Sequence, residues 1–181
     1  MKALARRYLF GLYSLVLAIV PNLPSQRLRK LILRGVFRMK MDPKAVMYLG
    51  CHLRAPHKIF IGAGTSVGDH VTLDGRAGLT IGRNVNISTE AMFWTAQHDY
   101  NDPDFTTVYR PIVVSDYAWI GPRVIVLPGS HIAEGVVVAG GSLLRGKTEP
   151  YGLYAGTPAK RIGERSRDVR YVPSANYTPF I

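Results

Sequence analysis

Every sixth residue over a long stretch of this chain is aliphatic. Ile120, Val126, Ile132, Val138 and Leu144 are spaced by six, and Val114 and Val108 extend the phase backwards. An earlier set, Ile61, Val67 and Leu73, has the same spacing, and a two-residue slip leads to Ile81, Ile87 and Phe93. Small residues or turn formers follow many of them, as at Gly62, Gly68, Gly82, Ser88, Gly121 and Ala139. Six is neither the period of an α-helix nor that of an alternating strand. It suits a three-walled solenoid in which each hexapeptide is one short strand and one corner. The aliphatic side chain points inward, and three hexapeptides close one coil.

The period predicts an all-β solenoid of parallel strands with about five coils. It also predicts the walls. Ile61, Ile81, Val108, Val126 and Leu144 share the first, Val67, Ile87, Val114 and Ile132 the second, and Leu73, Phe93, Ile120 and Val138 the third. The chain between Phe93 and Val108 is nine residues longer than the repeat needs. It is expected to leave the solenoid as a loop over 94–107, at a corner by the third wall. Extra loops on rigid solenoids are frequent places of function.

Charge divides the chain. The net charge is +11, yet residues 1–40 hold nine Lys/Arg and no acid, and the first acid is Asp42. The remainder is nearly neutral at +2. A basic groove across the body is therefore not expected, and nucleic acid is not an expected partner. With one cysteine, Cys51, the chain can form no internal disulfide and no thiolate cluster.

Within residues 1–40, Tyr8–Val20 is mostly apolar, flanked by Arg6-Arg7 and by Pro21 and Pro24. Thirteen helical residues span roughly 20 Å, short of the ~30 Å hydrocarbon core. A second helix is expected from an N-cap at Ser25. Leu28, Leu31, Ile32 and Met39 lie near one side of it, and Arg27, Lys30, Arg34 and Arg38 on another. An apolar helix beside a basic amphipathic one reads as an anchor on an anionic membrane surface. Packing on the body or on a partner subunit is the alternative. The expected division is 1–40 extension, 41–163 solenoid and 164–181 C-terminal tail, with the protein cytoplasmic and peripheral on the inner face of the cell membrane.

The repeat and loop resemble the hexapeptide-repeat acyltransferases, and residues 59–165 resemble the maltose/galactoside/colanic-acid O-acetyltransferase group. The pieces that match are Thr80-Ile81-Gly82-Arg83-Asn84-Val85, His98-Asp99-Tyr100 with Pro103 and Phe105, Pro111-Ile112-Val113-Val114, Trp119-Ile120-Gly121, Val126-Leu127-Pro128-Gly129 and Ala155-Gly156-Thr157-Pro158-Ala159-Lys160. The resemblance implies a left-handed parallel β-helix, a homotrimer with active sites between subunits, acetyl-CoA as acyl donor and a sugar or polysaccharide acceptor. No metal is expected.

O-acetyl transfer to an alcohol needs a base and donors for the charge that develops on the thioester oxygen. Of five histidines, His52, His57, His70, His98 and His131, only His98 falls on the expected loop, and it matches the family's catalytic histidine. An imidazole base usually needs an orienting acceptor. Asp74 shares the corner at the loop root and is the candidate; Asp99 and Glu90 are rivals. The resemblance places Trp119 along the donor's pantetheine arm and Lys160 and Arg161 at its phosphates; Ala139, Gly140 and Ser142 have no bulky side chain and let that arm lie against the coil, with Gly121 and Ala155 in the matching pieces beside them and Tyr117 and Arg123 as weaker candidates. The expected stacks put Trp119 near Asp74 and the loop root. One departure stands out. The residue after Trp-Ile-Gly often supplies an N–H to the acyl oxygen in relatives, and here it is Pro122, which has none. Gly121 is a substitute donor.

Three rivals remain. A γ-class carbonic anhydrase shares the fold but needs three metal-bound histidines, and the spacing of His52, His57, His98 and His131 does not match. A non-catalytic hexapeptide protein has no need of the His-bearing loop. A soluble acetyltransferase for small sugars or xenobiotics has no need of the basic extension.

Overall fold

The structure is a computed structural model and describes residues 2–177. Met1 and residues 178–181, the extremes of the expected extension and tail, lie outside the described residues. The body is a three-walled solenoid of parallel strands. The first wall stacks Lys40–Met41, Ile59–Ile61, Leu79–Ile81, Ile112–Val114 and His131–Ile132. The second stacks Val46–Met47, Ser66–Val67, Asn86–Ile87, Trp119–Ile120 and Val137–Val138, and then the antiparallel pair Gly152–Gly156 and Ala159–Glu164. The third stacks His52–Arg54, Thr72–Asp74, Met92–Phe93, Ile125–Val126 and Leu143–Leu144. These strands make five complete coils, and Gly152–Gly156 opens a sixth.

The inward column is closed. Ile61, Val67, Leu73, Ile81, Phe93, Ile120, Val126, Ile132 and Val138 are all fully buried. Burying an aliphatic side chain of this size is worth about 1.5–3 kcal/mol, so the column supplies the main stabilisation of the body. One coil precedes the first in-phase residue of the sequence reading. It carries Met41, Met47 and Leu53, and it reaches Ile61 through a two-residue slip that contains the 3-10 turn Pro56–Lys58.

The walls differ from expectation after the loop. Val108 is not a coil residue. It pairs antiparallel with Gln97 in a hairpin of Ala96–His98 and Thr107–Tyr109, and the solenoid resumes at Ile112. Val114 and Ile132 therefore stack on Ile81 in the first wall, Ile120 and Val138 on Ile87 in the second, and Val126 and Leu144 on Phe93 in the third. Each expected stack had slipped by one wall beyond Phe93. The loop does leave from the third wall, and it spans 94–111.

At the N-terminus, α1 (Lys2–Ile19) and α2 (Gln26–Gly35) are joined by the 3-10 turn Val20–Asn22. Ser25 caps α2 by accepting the Leu28 N–H. The face of α2 that packs meets the expected one only at Ile32, with Met39 buried just beyond the helix. Gln26, Arg29 and Leu33 are buried, while Leu28 and Leu31 look outward. Gln26 accepts the Met47 N–H, and the Arg29 guanidinium donates to the carbonyls of Leu23 and Met47. α2 thus covers the open end of the first coil and satisfies its backbone. Burial holds the Arg29 guanidinium below its ordinary value, and the charges of Cys51 and Asp69 oppose this. Burial likewise pushes the Cys51 thiol up to about 12.

α1 is longer than its apolar stretch suggested. Its 18 residues span roughly 27 Å, and Leu4–Asn22 is long and apolar enough to cross a membrane by length and composition alone. Among the described residues its C-terminal half meets the body, through Leu17 and an edge contact of Tyr13 with Phe37 at 5.1 Å. Leu4, Tyr8, Leu9, Phe10, Leu12 and Leu15 are exposed.

The chain after Glu164 returns along the corner between the first and second walls. Arg165 and Tyr171 both donate to the Tyr117 carbonyl, Ser174 N–H donates to the Gly64 carbonyl, and Ser174 Oγ donates to that of Lys44 at 2.7 Å.

Candidate active site

The loop is fastened at its root. Asp74, at the end of a third-wall strand, is fully buried. Its carboxylate accepts Arg76 Nε and a terminal guanidinium N–H, both at 2.9 Å, the Arg76 backbone N–H at 3.0 Å and the Thr95 N–H at 3.1 Å. Burial alone would push this carboxyl up. The hydrogen bonds and charge of Arg76 and the Thr95 N–H outweigh it and hold the carboxyl below its ordinary value. Its contribution to stability is therefore present above the ordinary carboxylate range and is lost as pH falls through the lowered native value. Thr95 is also buried, and its hydroxyl accepts the Ala77 N–H at 3.1 Å.

Beyond this root the hairpin carries His98 opposite Thr107. At the tip, Asp99 and Asp102 each accept a backbone N–H two residues on. This folds the chain back so that Phe105 meets His98. The two rings stack with centroids 4.0 Å apart and planes at 7°. His98 Nδ1 lies 2.6 Å from the Phe105 carbonyl. A carbonyl only accepts, so Nδ1 carries the proton and, in the neutral ring, the lone pair sits on Nε2. His98 is exposed.

The partner of His98 Nδ1 in this chain is the Phe105 carbonyl, while the Asp74 carboxylate is taken up by Arg76 and Thr95 of the same chain. The rivals do not supply it either. Glu90 pairs with Arg123 at 2.5 Å on a different corner, and Asp99 caps Asn101. Phe105 was among the residues of the resemblance, but a backbone carbonyl has no sequence signature, and Arg76 and Thr95 were missed for the same kind of reason.

The donor-side residues lie elsewhere. Trp119 is on the outer face of the second wall, 45% exposed, with Nε1 donating to Ser88 Oγ at 3.3 Å. It is not beside Asp74, which belongs to the third wall. Gly121 and Gly140 stack at the corner between the second and third walls. A Cβ on Gly121 would come within 2.6 Å of the Gly140 nitrogen, so the close approach requires glycine. Gly121 is buried, and its N–H donates to the Val138 carbonyl at 2.8 Å. It has no N–H left for an acyl oxygen. Gly140 is exposed, and its N–H has no partner among the described residues. Ala139 is half-buried beside it.

Ser142 does not offer a contact surface. It is 1% exposed, and its hydroxyl accepts the Gly156 N–H at 3.1 Å, tying the coil to the terminal hairpin. In that hairpin Ala155 pairs with Lys160. Lys160 is exposed and forms no ion pair among the described residues. Arg161 is held by Glu149 at 3.3 Å and by Glu164. These are partly exposed pairs of small worth, but a phosphate would have to displace them. Tyr117 lends its carbonyl to the returning tail, and Arg123 is paired with Glu90. No three His, Cys, Asp or Glu side chains among the described residues converge as a metal site.

The chain therefore carries its histidine on one edge of a three-sided prism and its glycine-lined corner on another.

Comparison with known proteins bears on the fold and the family. No protein-family model matches the chain. It is 32% identical over 139 residues to a protein of Escherichia coli (strain K12) named as the colanic acid biosynthesis acetyltransferase WcaF, covering 77% of this chain and 76% of that one. It is 30% identical over 124 residues to WbbJ of the same strain, named as a lipopolysaccharide biosynthesis O-acetyl transferase, covering 62% and 63%. The crystal structure of the hexapeptide-repeat containing acetyltransferase VCA0836 from Vibrio cholerae superposes with a TM-score of 0.75 at 28% identity, over 91% of this chain and 93% of that one. Galactoside acetyltransferase in complex with coenzyme A shares the fold, with a TM-score of 0.76 at 23% identity over 84% and 79%. The solenoid is the left-handed parallel β-helix of the hexapeptide-repeat acetyltransferases, and the protein is an enzyme of that class. Within the class, the chain belongs to the family of acetyltransferases that includes WcaF.

Proposed function

We propose that the protein moves an acetyl group from acetyl-CoA to a hydroxyl of a cell-envelope polysaccharide or its lipid-linked precursor, as a homotrimer at the inner face of the cell membrane. The observation that carries this reading is the state of His98. Its Nδ1 is fixed by the Phe105 carbonyl, its ring is clamped by the Phe105 ring, and Nε2 is open on a lifted hairpin. Acetyl-CoA supplies an activated thioester carbonyl; a structure of VCA0836 was solved with acetyl-CoA bound.

His98 Nε2 takes the proton of the acceptor hydroxyl as that oxygen bonds to the thioester carbon. It then returns the proton to the departing sulfur, so that an ester and a free thiol are the products. Gly140 offers the free N–H for the charge on the thioester oxygen, since Pro122 has none and Gly121 is committed. Ala139, Gly140 and Trp119 line the path for the donor's pantetheine arm, and Lys160 stands ready for its phosphates. WcaF and WbbJ are both named for envelope polysaccharides, which supports the acceptor class, and the exposed apolar side of α1 supports the membrane.

Separation of histidine and donor corner on two edges supports a trimer, because threefold symmetry brings unlike edges together. Light scattering should give a particle of three 20.0 kDa chains; a fully active monomer would refute this arrangement. His98→Ala should lower kcat by ~10²–10⁴ with little change in acetyl-CoA affinity. Near-normal turnover on an envelope-polysaccharide acceptor would remove His98 from the chemistry.

A further inference from the structure

α1 and the third wall enclose a cleft of about 880 Å³ that the acetyl-transfer chemistry above leaves unused. This is the size of a small-ligand site. Its helix side is apolar, with Phe10, Tyr13 and Leu17, and Leu53 and Trp94 face it from the body. The polar part is basic, with the charge of Arg54 unpaired among the described residues and that of Arg76 balanced by the buried Asp74 behind it. Arg54 and Arg76 line it together with His52 and His57, and no Asp or Glu does. The Arg54 guanidinium sits over the Trp94 ring at 5.4 Å, which positions the cation without neutralising it. Arg76 spends side-chain N–H groups from Nε and one terminal nitrogen on Asp74. The rest of its five donors have no partner among the described residues.

An apolar trough that ends in two guanidiniums is complementary to one kind of molecule, an amphiphile with a phosphate head. A soluble glycan would not use the trough, and a neutral lipid would not use the arginines. The position agrees. Trp94 and Thr95 are the root of the loop, and His98 is four residues past Trp94, at most about 13 Å along an extended chain. That is the length scale of a sugar phosphate headgroup. The outer side of α1 is exposed and apolar, which suits it to rest on a bilayer with the cleft beside it.

We propose that this cleft binds the acceptor itself, a lipid-borne sugar whose hydrocarbon tail lies against α1 and whose phosphate or diphosphate is held by Arg54 and Arg76, with the sugar carried toward His98. The proposal rests on the acetyl-transfer reading above and has its own readout. The full-length protein in zwitterionic micelles is titrated with geranylgeranyl phosphate, geranylgeraniol and inorganic phosphate, followed by tryptophan fluorescence. Geranylgeranyl phosphate should bind saturably and at least tenfold more tightly than either control. Arg54→Gln should weaken it about tenfold and leave acetyl-CoA binding unchanged. Leu12→Ser with Leu15→Ser, on α1 but outside the cleft, should leave it unchanged. Equal binding of inorganic phosphate, an unaffected Arg54→Gln protein, or loss tracking only the Leu12/Leu15 changes would overturn the proposal. The last result would reduce α1 to a surface anchor. Failure of the acetyl-transfer reading would show instead as absent acetyl-CoA binding with lipid phosphate still bound.

Discussion

α1 and α2 are adjacent in the chain, and their fates are opposite. α2 is the more polar helix, yet Gln26, Arg29 and Leu33 are buried. α1 is the more apolar, yet apart from Leu17 its large side chains are exposed or half-exposed. Hydropathy alone would reverse the two. The open end of the first coil presents backbone groups as well as aliphatic side chains, and a helix that covers it must satisfy both. Gln26 and Arg29 do this for the Met47 N–H and carbonyl. α1 meets no such demand from the body, so its apolar surface is left for something outside the chain.

Two variants sharpen the contrast. Leu33→Ala, beneath the cap, should cost about 2–5 kcal/mol in denaturant unfolding; a cost near zero would mean that α2 merely rests on the coil. Leu12→Ser with Leu15→Ser should leave stability within about 0.5 kcal/mol of wild type while binding to anionic vesicles falls. A destabilisation matching that of Leu33→Ala would break the comparison and make α1 a second cap.

The solenoid was legible because its core obeys one period, and from Ile61 to Phe93 every expected inward residue is inward. The register beyond the loop was not. Val108 is apolar and lies six residues before Val114, but antiparallel pairing with Gln97 places it in the hairpin. A period cannot distinguish a coil strand from a hairpin strand that happens to share its phase. In α2, apolar spacing pointed to Leu28, Leu31, Ile32 and Met39, of which only Ile32 and Met39 pack, and the polar side chains that bond to backbone were invisible to it. His98 stood out as the histidine of an extruded loop. Its acceptor did not, because any residue at position 105 would bring a carbonyl.

The returning tail has a consequence for how the molecule comes apart. A stack of coils held only by nearest neighbours can fray from either end, one coil at a time. Here Ser174 bonds to Lys44 in the first coil, and Tyr171 to Tyr117 in the fourth. The returning segment is a clasp that spans what would otherwise be independent units, so peeling an end coil must also release a contact several coils away. Unfolding becomes more all-or-none than the linear architecture implies. During synthesis, the clasp can close only after every coil is already in place.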